Sequence, residues 1–190
     1  LILIEFSSVE DSKDEKDKIE SILNKILNEN LAKDIFIAQS LKQTKNMWNI
    51  RESISEAQKK EGGSIKNDIS IPIKDISKFI SSAIKISKEV IPGSRCVVFG
   101  HIGDGNIHFN ISQPEKADKD KFLKKEKALR KEIINLTLDL KGSISAEHGI
   151  GLTRKADLKK YMKKDVEVFK SIKKSFDPKN IMNPGKVIDI

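Results

Sequence analysis

The chain has 190 residues, 37% hydrophobic and 5% aromatic, with 36 Lys and Arg against 28 Asp and Glu for a formal net charge of +8. That size and apolar content suffice for one compact domain with a proper core, or two small subdomains sharing one, and a single soluble unit is expected. One Trp and one Tyr cannot furnish the stacking platforms of a nucleic-acid surface, and no apolar run approaches the ~20 residues of a membrane span. The single cysteine, Cys96, excludes an intrachain disulfide and sits in an apolar run where an inert, buried thiol is expected. Without an initiator Met or a signal-peptide pattern, the chain reads as a piece of something longer, with a cytoplasmic location expected.

In chain order, the apolar opening Leu1 to Ile4 predicts a strand over Leu1 to Ser7, and helical spacing predicts a helix from about Ser12 to Glu29. A strand over Asp34 to Gln39 and a helix through Trp48 to Lys59 follow. The Glu61-Gly62-Gly63 turn leads to an extended segment, Ser64 to Ile71, broken by Pro72, and then to a helix from Asp75 to Val90 ended by Pro92-Gly93. Strands Arg95 to Ile102 and Ile107 to Ser112 flank Gly103-Asp104-Gly105-Asn106, which has the composition of a hairpin turn. A long charged helix, about Glu115 to Leu140, precedes Gly142, the segment Ser143 to Arg154, two short helices and a tail. The Lys-rich runs Lys116 to Lys131 and Lys155 to Lys174 read as solvated helix faces. Closely spaced strands cannot pair in parallel, so the order predicts an α+β fold: an antiparallel sheet covered by helices on one face.

All three histidines fall in two glycine-containing segments, Gly100 to His108 and Ser145 to Gly151. If the turn is Gly103 to Asn106, Ile102 pairs with Ile107 and His101 with His108. Two imidazoles then stand on one face, their Cβ atoms about 4.5 to 5.5 Å apart, with Asn110 on the same side. Glu147 can add an anionic ligand, which makes the two-His, one-carboxylate set of a catalytic metal with open positions. The plain alternative is a hairpin whose histidines are ordinary surface or core residues. Arg51 and Ser55 are four apart on a predicted helix with Trp48 one turn before, so that Arg51 could grip a carboxylate by two hydrogen bonds or be an ordinary surface residue. Lys66 alone says less.

These segments resemble the C-terminal domain of the FAD-linked oxidases, a family that includes D-lactate, glycolate and D-2-hydroxyglutarate dehydrogenases. The similarity runs in order through Trp48-Asn49-Ile50-Arg51-Glu52 with Ala57, the Gly100 to Asn110 hairpin, Ser145 to Gly151, and Asn180-Ile181-Met182-Asn183-Pro184-Gly185-Lys186. The resemblance implies an α+β cap with ferredoxin-like subdomains. It implies that His101, His108 and Glu147 bind a divalent metal, commonly zinc, that His148 is the base, and that Arg51, Ser55, Lys66 and Asn110 contact the substrate. At Ser55 relatives often carry Thr, which keeps the hydroxyl. The tail with Asn183, Gly185 and Lys186 resembles the segment that returns towards the flavin, so these three are expected to help bind FAD.

The implied reaction is oxidation of a D-2-hydroxy acid to a 2-oxo acid with hydride transfer to FAD. No counterpart of the family's N-terminal FAD-binding domain is found in these 190 residues, so residues 1–190 are read as the substrate- and metal-binding cap, inactive alone. The alternative is an inactive or separately encoded metal-binding cap that needs a flavoprotein partner chain. A metal-dependent hydrolase is a third reading, weakened because His101 and His108 do not form a His-Glu-x-x-His helix.

Overall fold

The computed structural model describes residues 1–6 and 13–190, which form two compact units, Leu1–Ala57 and Gln58–Ile190. In the first, helix α1 (Lys13–Asn28) carries Ile19, Leu23 and Ile26 as a half-buried stripe at helical spacing. Helix α2 (Leu41–Glu52) begins at Ser40, whose hydroxyl accepts the Gln43 N–H. Ser53 ends α2, and α3 (Ile54–Lys59) follows at once, so the one helix expected through Trp48 to Lys59 is two.

The strands expected at Leu1 to Ser7 and Asp34 to Gln39 do not form: residues 1–6 and 34–39 join no ladder, and Ser7 lies outside the described residues. A strand exists only where a neighbour takes its backbone groups. Around the second segment, side chains take them instead: Asp34 Oδ1 accepts the Ile35 N–H at 2.8 Å and Gln43 Oε1 accepts the Gln39 N–H at 2.6 Å. Phe36 and Ile37 stay exposed.

The second unit has the expected α+β architecture. Strands β1 (Ser64–Ser70), β2 (Arg95–His101) and β3 (Asn106–Ser112) make an antiparallel sheet in the order β1-β3-β2. Helix α4 (Ile76–Val90) follows a single 3₁₀ turn at Ile73–Asp75, and α6 (Glu126–Asp139) packs beside α4 against the same face of the sheet. The long helix expected over Glu115 to Leu140 starts later and is split into α5 (Lys119–Leu123) and α6. Asp118 sets the later start by accepting the Lys121 N–H at 2.8 Å. Helices α7 (Gly151–Tyr161) and α8 (Lys163–Phe176) are the two short helices expected near the end.

The core lies between this helix pair and one face of the sheet. Ile65 and Ile69 of β1 and Ile107, Phe109 and Ile111 of β3 meet Phe79 and Ala83 of α4 and Leu129 and Ile133 of α6. Phe79 stands edge-on to Phe109, centroids 5.7 Å apart and rings at 81°. Each such side chain contributes roughly 1.5–3 kcal/mol on burial, which pins the central strand β3. Cys96 is half-buried against this core, and burial raises its thiol above the ordinary pKa, which suits an inert thiol.

The hairpin register differs from expectation by two residues. His101 pairs with Asn106, Gly100 with Ile107 and Phe99 with His108, leaving Ile102 to Gly105 as the loop. The loop has the expected four residues, shifted by one towards the N-terminus, and its chemistry holds it there: Asp104 Oδ1 accepts the Asn106 N–H at 3.2 Å, and Gly105 turns at φ +76° while its carbonyl accepts the Ile71 N–H at 2.9 Å. A Cβ on Gly105 would sit 2.2 Å from the Ile71 carbonyl oxygen, so only glycine permits this docking.

Candidate functional site

The other face of β3 carries the chemistry. With a period of two, Asn106, His108 and Asn110 point away from the core, and the register lays them in rows across the sheet. Asn106 lies between Ser70 and His101, His108 between Asp68 and Phe99, and Asn110 between Lys66 and Val97. His101 and His108 therefore share a face as expected, but diagonally rather than directly opposed. The His108 ring packs on Phe99, centroids 4.9 Å apart.

The segment after α6 reaches this face because Ser143 bridges β1: its N–H donates to the Ser70 carbonyl at 2.9 Å and its carbonyl accepts the Ser70 N–H at 3.0 Å. Ile144, fully buried, anchors the turn. Arg154 holds it from α7, donating to the Ile144 carbonyl at 2.7 Å and the Lys66 carbonyl at 3.1 Å. Burial and the neighbouring Arg130 lower the Arg154 pKa from its usual value. Asp68 is the third tie, with Oδ2 accepting the Glu147 N–H at 3.0 Å and the His148 N–H at 2.9 Å.

So held, Glu147 lies between the two imidazoles. Its Oε1 is 3.6 Å from His101 Nε2 and its Oε2 is 3.4 Å from His108 Nε2. Donors about 2.0–2.1 Å from a tetrahedral ion are spaced by roughly 3.4 Å. Both separations are close to that value, with each imidazole meeting its own oxygen of the Glu147 carboxylate, and two imidazoles with a carboxylate are donor types that suit such an ion. His101 and Glu147 are half open to solvent, with side-chain exposures of 55% and 44%, as an exchangeable site requires. Both amide atoms of Asn106 and Oδ1 of Asp68 are buried without a hydrogen bond among the described residues, so polar capacity remains unspent here. Among the described residues, the set whose donor atoms all lie within 4.8 Å of one another is Asp68, His108 and His148, which shares His108 with the His101–Glu147–His108 cluster. The His108 and His148 rings are 5.7 Å apart, and the His148 side chain is exposed.

The remaining residues singled out in the sequence are placed differently. Asn110 is buried and donates from Nδ2 to Gln58 Oε1 at 2.9 Å, while Gln58 Nε2 donates to Ser64 and Ser112. Lys66, next to Asn110 on the sheet, is exposed and borders a cavity of about 250 Å³ that Gln58, Gly63, Ser64 and Lys119 also line. Arg51 and Ser55 belong to the first unit. Asp68 and Arg154 were not singled out in the sequence. Alternation places Asp68 on the Lys66 side of β1, but only the pairing of β1 with β3 sets it beside His108.

Asn183, Gly185 and Lys186 lie on a tail strapped to α7 and α8. Lys155 Nζ donates to the Gly185 carbonyl at 2.8 Å and to Asp189 at 2.5 Å. Asp177, capping α8, accepts from Lys173 Nζ and from the Ile181 and Met182 N–H groups at 3.0 and 2.9 Å. The Lys173 hydrogen bond, followed by those two N–H bonds, holds the Asp177 carboxyl below its usual pKa. A depressed folded pKa means that this anchoring is fully present above the ordinary carboxylate range and is lost as pH falls through the lower folded value. Acidification is therefore expected to release the strap, seen as a shared titration of the Ile181 and Met182 amide shifts by NMR. In Asp177→Asn that titration should vanish; its persistence would assign it to another group.

Over residues 1–187 the sequence matches the family described as FAD linked oxidases, C-terminal domain. It is 40% identical over 156 residues to the D-2-hydroxyglutarate dehydrogenase of Stutzerimonas stutzeri (strain A1501), covering 81% of this chain and 33% of that protein. The mitochondrial D-2-hydroxyglutarate dehydrogenase of Arabidopsis thaliana is 38% identical over 189 residues, 98% of this chain and 32% of the relative. For the D-lactate dehydrogenase of Archaeoglobus fulgidus the identity is 32% over 155 residues, 82% of this chain and 33% of the relative. The chain thus spans about a third of the length of the relatives it matches.

Proposed function

Since the chain belongs to the family of FAD linked oxidase C-terminal domains, we propose that it supplies the substrate- and metal-binding part of a flavin-dependent dehydrogenase converting a D-2-hydroxy acid to a 2-oxo acid. The observation that carries this reading is the convergence of His101 and His108 on the Glu147 carboxylate, at 3.6 and 3.4 Å, with His148 next in the chain. His101, His108 and Glu147 would hold the metal, with zinc suited to two imidazoles and a carboxylate. When bound, the metal lowers the pKa of the substrate hydroxyl and FAD accepts the C2 hydride.

His148, exposed beside this cluster, takes the hydroxyl proton as the carbonyl forms, an imidazole being able both to accept and to return a proton. Lys66, exposed one row along the sheet from His108, orients the acid, while the part assigned to Asn110, buried against Gln58, rests on the sequence resemblance. The parts assigned to Arg51 and Ser55 in substrate binding, and to Asn183, Gly185 and Lys186 towards FAD, rest on the sequence resemblance. An FAD-binding domain in the same or a partner chain completes the enzyme. D-2-hydroxyglutarate and D-lactate are the first acids to try, because relatives are named for them.

The test is dye reduction by the full chain combined with an FAD-binding domain. His148→Ala is expected to lower kcat by about 10²–10⁴-fold with little change in KM, and Arg51→Ala to raise KM. Unchanged kinetics in both variants would remove these roles. A chain that takes up zinc yet supports no turnover with any hydroxy acid would favour the inactive cap.

A further inference from the structure

His108 has two ring nitrogens that face different carboxylates. Nε2 is 3.4 Å from Glu147 Oε2, on the solvent-open side, whereas Nδ1 is 3.6 Å from Asp68 Oδ1. The side chains of Asp68 and His108 are only 12% and 13% exposed. Asp68 Oδ2 is engaged by the Glu147 and His148 N–H groups, and Oδ1 has no hydrogen bond among the described residues. One nitrogen of a neutral imidazole carries a hydrogen and the other a lone pair. Although Glu147 Oε2 is slightly nearer, it is half open to solvent that screens it, whereas the Asp68 carboxylate is buried, which favours hydrogen on Nδ1 and leaves the lone pair on Nε2.

We infer that Asp68 is the positioning residue of the site: it fixes the His108 tautomer that directs Nε2 towards Glu147 and His101, and with its other oxygen it fixes the turn that delivers Glu147 and His148. This inference rests on the metal reading above and extends it to the group behind the ligands. Asp68 would serve as a partner to the ligand His108 and not as a ligand, since an ion at Nδ1 would leave Nε2 to carry the hydrogen. Outer partners of this kind typically account for about 10–100-fold in metal affinity.

Asp68→Asn separates the two duties. Its amide oxygen can still accept the Glu147 and His148 N–H groups, but its NH₂ would face His108 Nδ1, which must then accept, moving the hydrogen to Nε2. The experiment is ¹⁵N NMR of histidine-labelled, metal-free chain at pH 8, paired with calorimetric titration of zinc. Expected are an Nδ1–H tautomer for His108 in the native chain, an Nε2–H tautomer in Asp68→Asn with the Glu147 and His148 amide shifts retained, and zinc affinity about 10–100-fold weaker. In Asp68→Ala both the amide shifts and the tautomer preference should change. An Nε2–H tautomer in the native chain, or the native tautomer retained in Asp68→Asn, would overturn the inference. Because tautomers are read without metal, a native chain that takes up no zinc would instead count against the metal reading, leaving the role of Asp68 to the NMR result.

Discussion

Replacing Glu147 by alanine is expected to abolish saturable zinc binding to the metal-stripped chain. Its carboxylate stands between His101 Nε2 and His108 Nε2 at 3.6 and 3.4 Å and is the one anionic donor of that set. Losing it should cost more than the ~10–100-fold that an outer partner costs. The fold should be unaffected, because the Glu147 side chain is half exposed and the tie to Asp68 runs through its backbone N–H. Calorimetry on the native chain, Glu147→Ala and His101→Ala measures this directly. Zinc bound by Glu147→Ala with native affinity would remove Glu147 from the centre and turn attention to Asp68, His108 and His148 as the ligands.

The second large effect concerns stability. Phe109→Ala should destabilise the sheet unit by about 3–5 kcal/mol, the usual cost of emptying a fully buried aromatic site. Phe109 is 0% exposed on the central strand, edge-on to Phe79, and its carbonyl accepts from Asn67 Nδ2 at 3.0 Å. Denaturant unfolding would show the loss. A change below about 1 kcal/mol would mean that the helices α4 and α6 close over the vacancy, which the close-packed interior argues against. Zinc affinity should fall with it, since His108 is the preceding residue of the same strand.

The legibility of these features in the sequence follows from how local each one is. His101, His108, Glu147 and His148 stood out because they crowd into two short glycine-bearing segments, and the structure brings His101, His108 and Glu147 together. The hairpin register was misjudged by two residues because both registers put the same side chains on the same face; only the docking of Gly105 under Ile71 separates them. Asp68 was missed because its importance depends on β1 pairing with β3, a contact between residues 40 apart (Asp68 with His108), which no local pattern encodes. The segment at Asp34 to Gln39 looked like a strand by composition, but side chains take the N–H groups at its two ends, Ile35 and Gln39, and no ladder forms.

Alternation along β3 also sets which changes of length the protein can survive. Inserting one residue ahead of His108 would turn Phe109 and Ile111 out to solvent and drive imidazole and amide groups into the core, losing fold and chemistry together. Inserting two would keep every residue on its own face, so the protein could still fold, but His108 would move a row away from Asp68. A lineage of such chains can therefore lengthen the loop at Gly103, where a side chain would meet nothing within 4 Å, and the strand itself only by destroying one property or both.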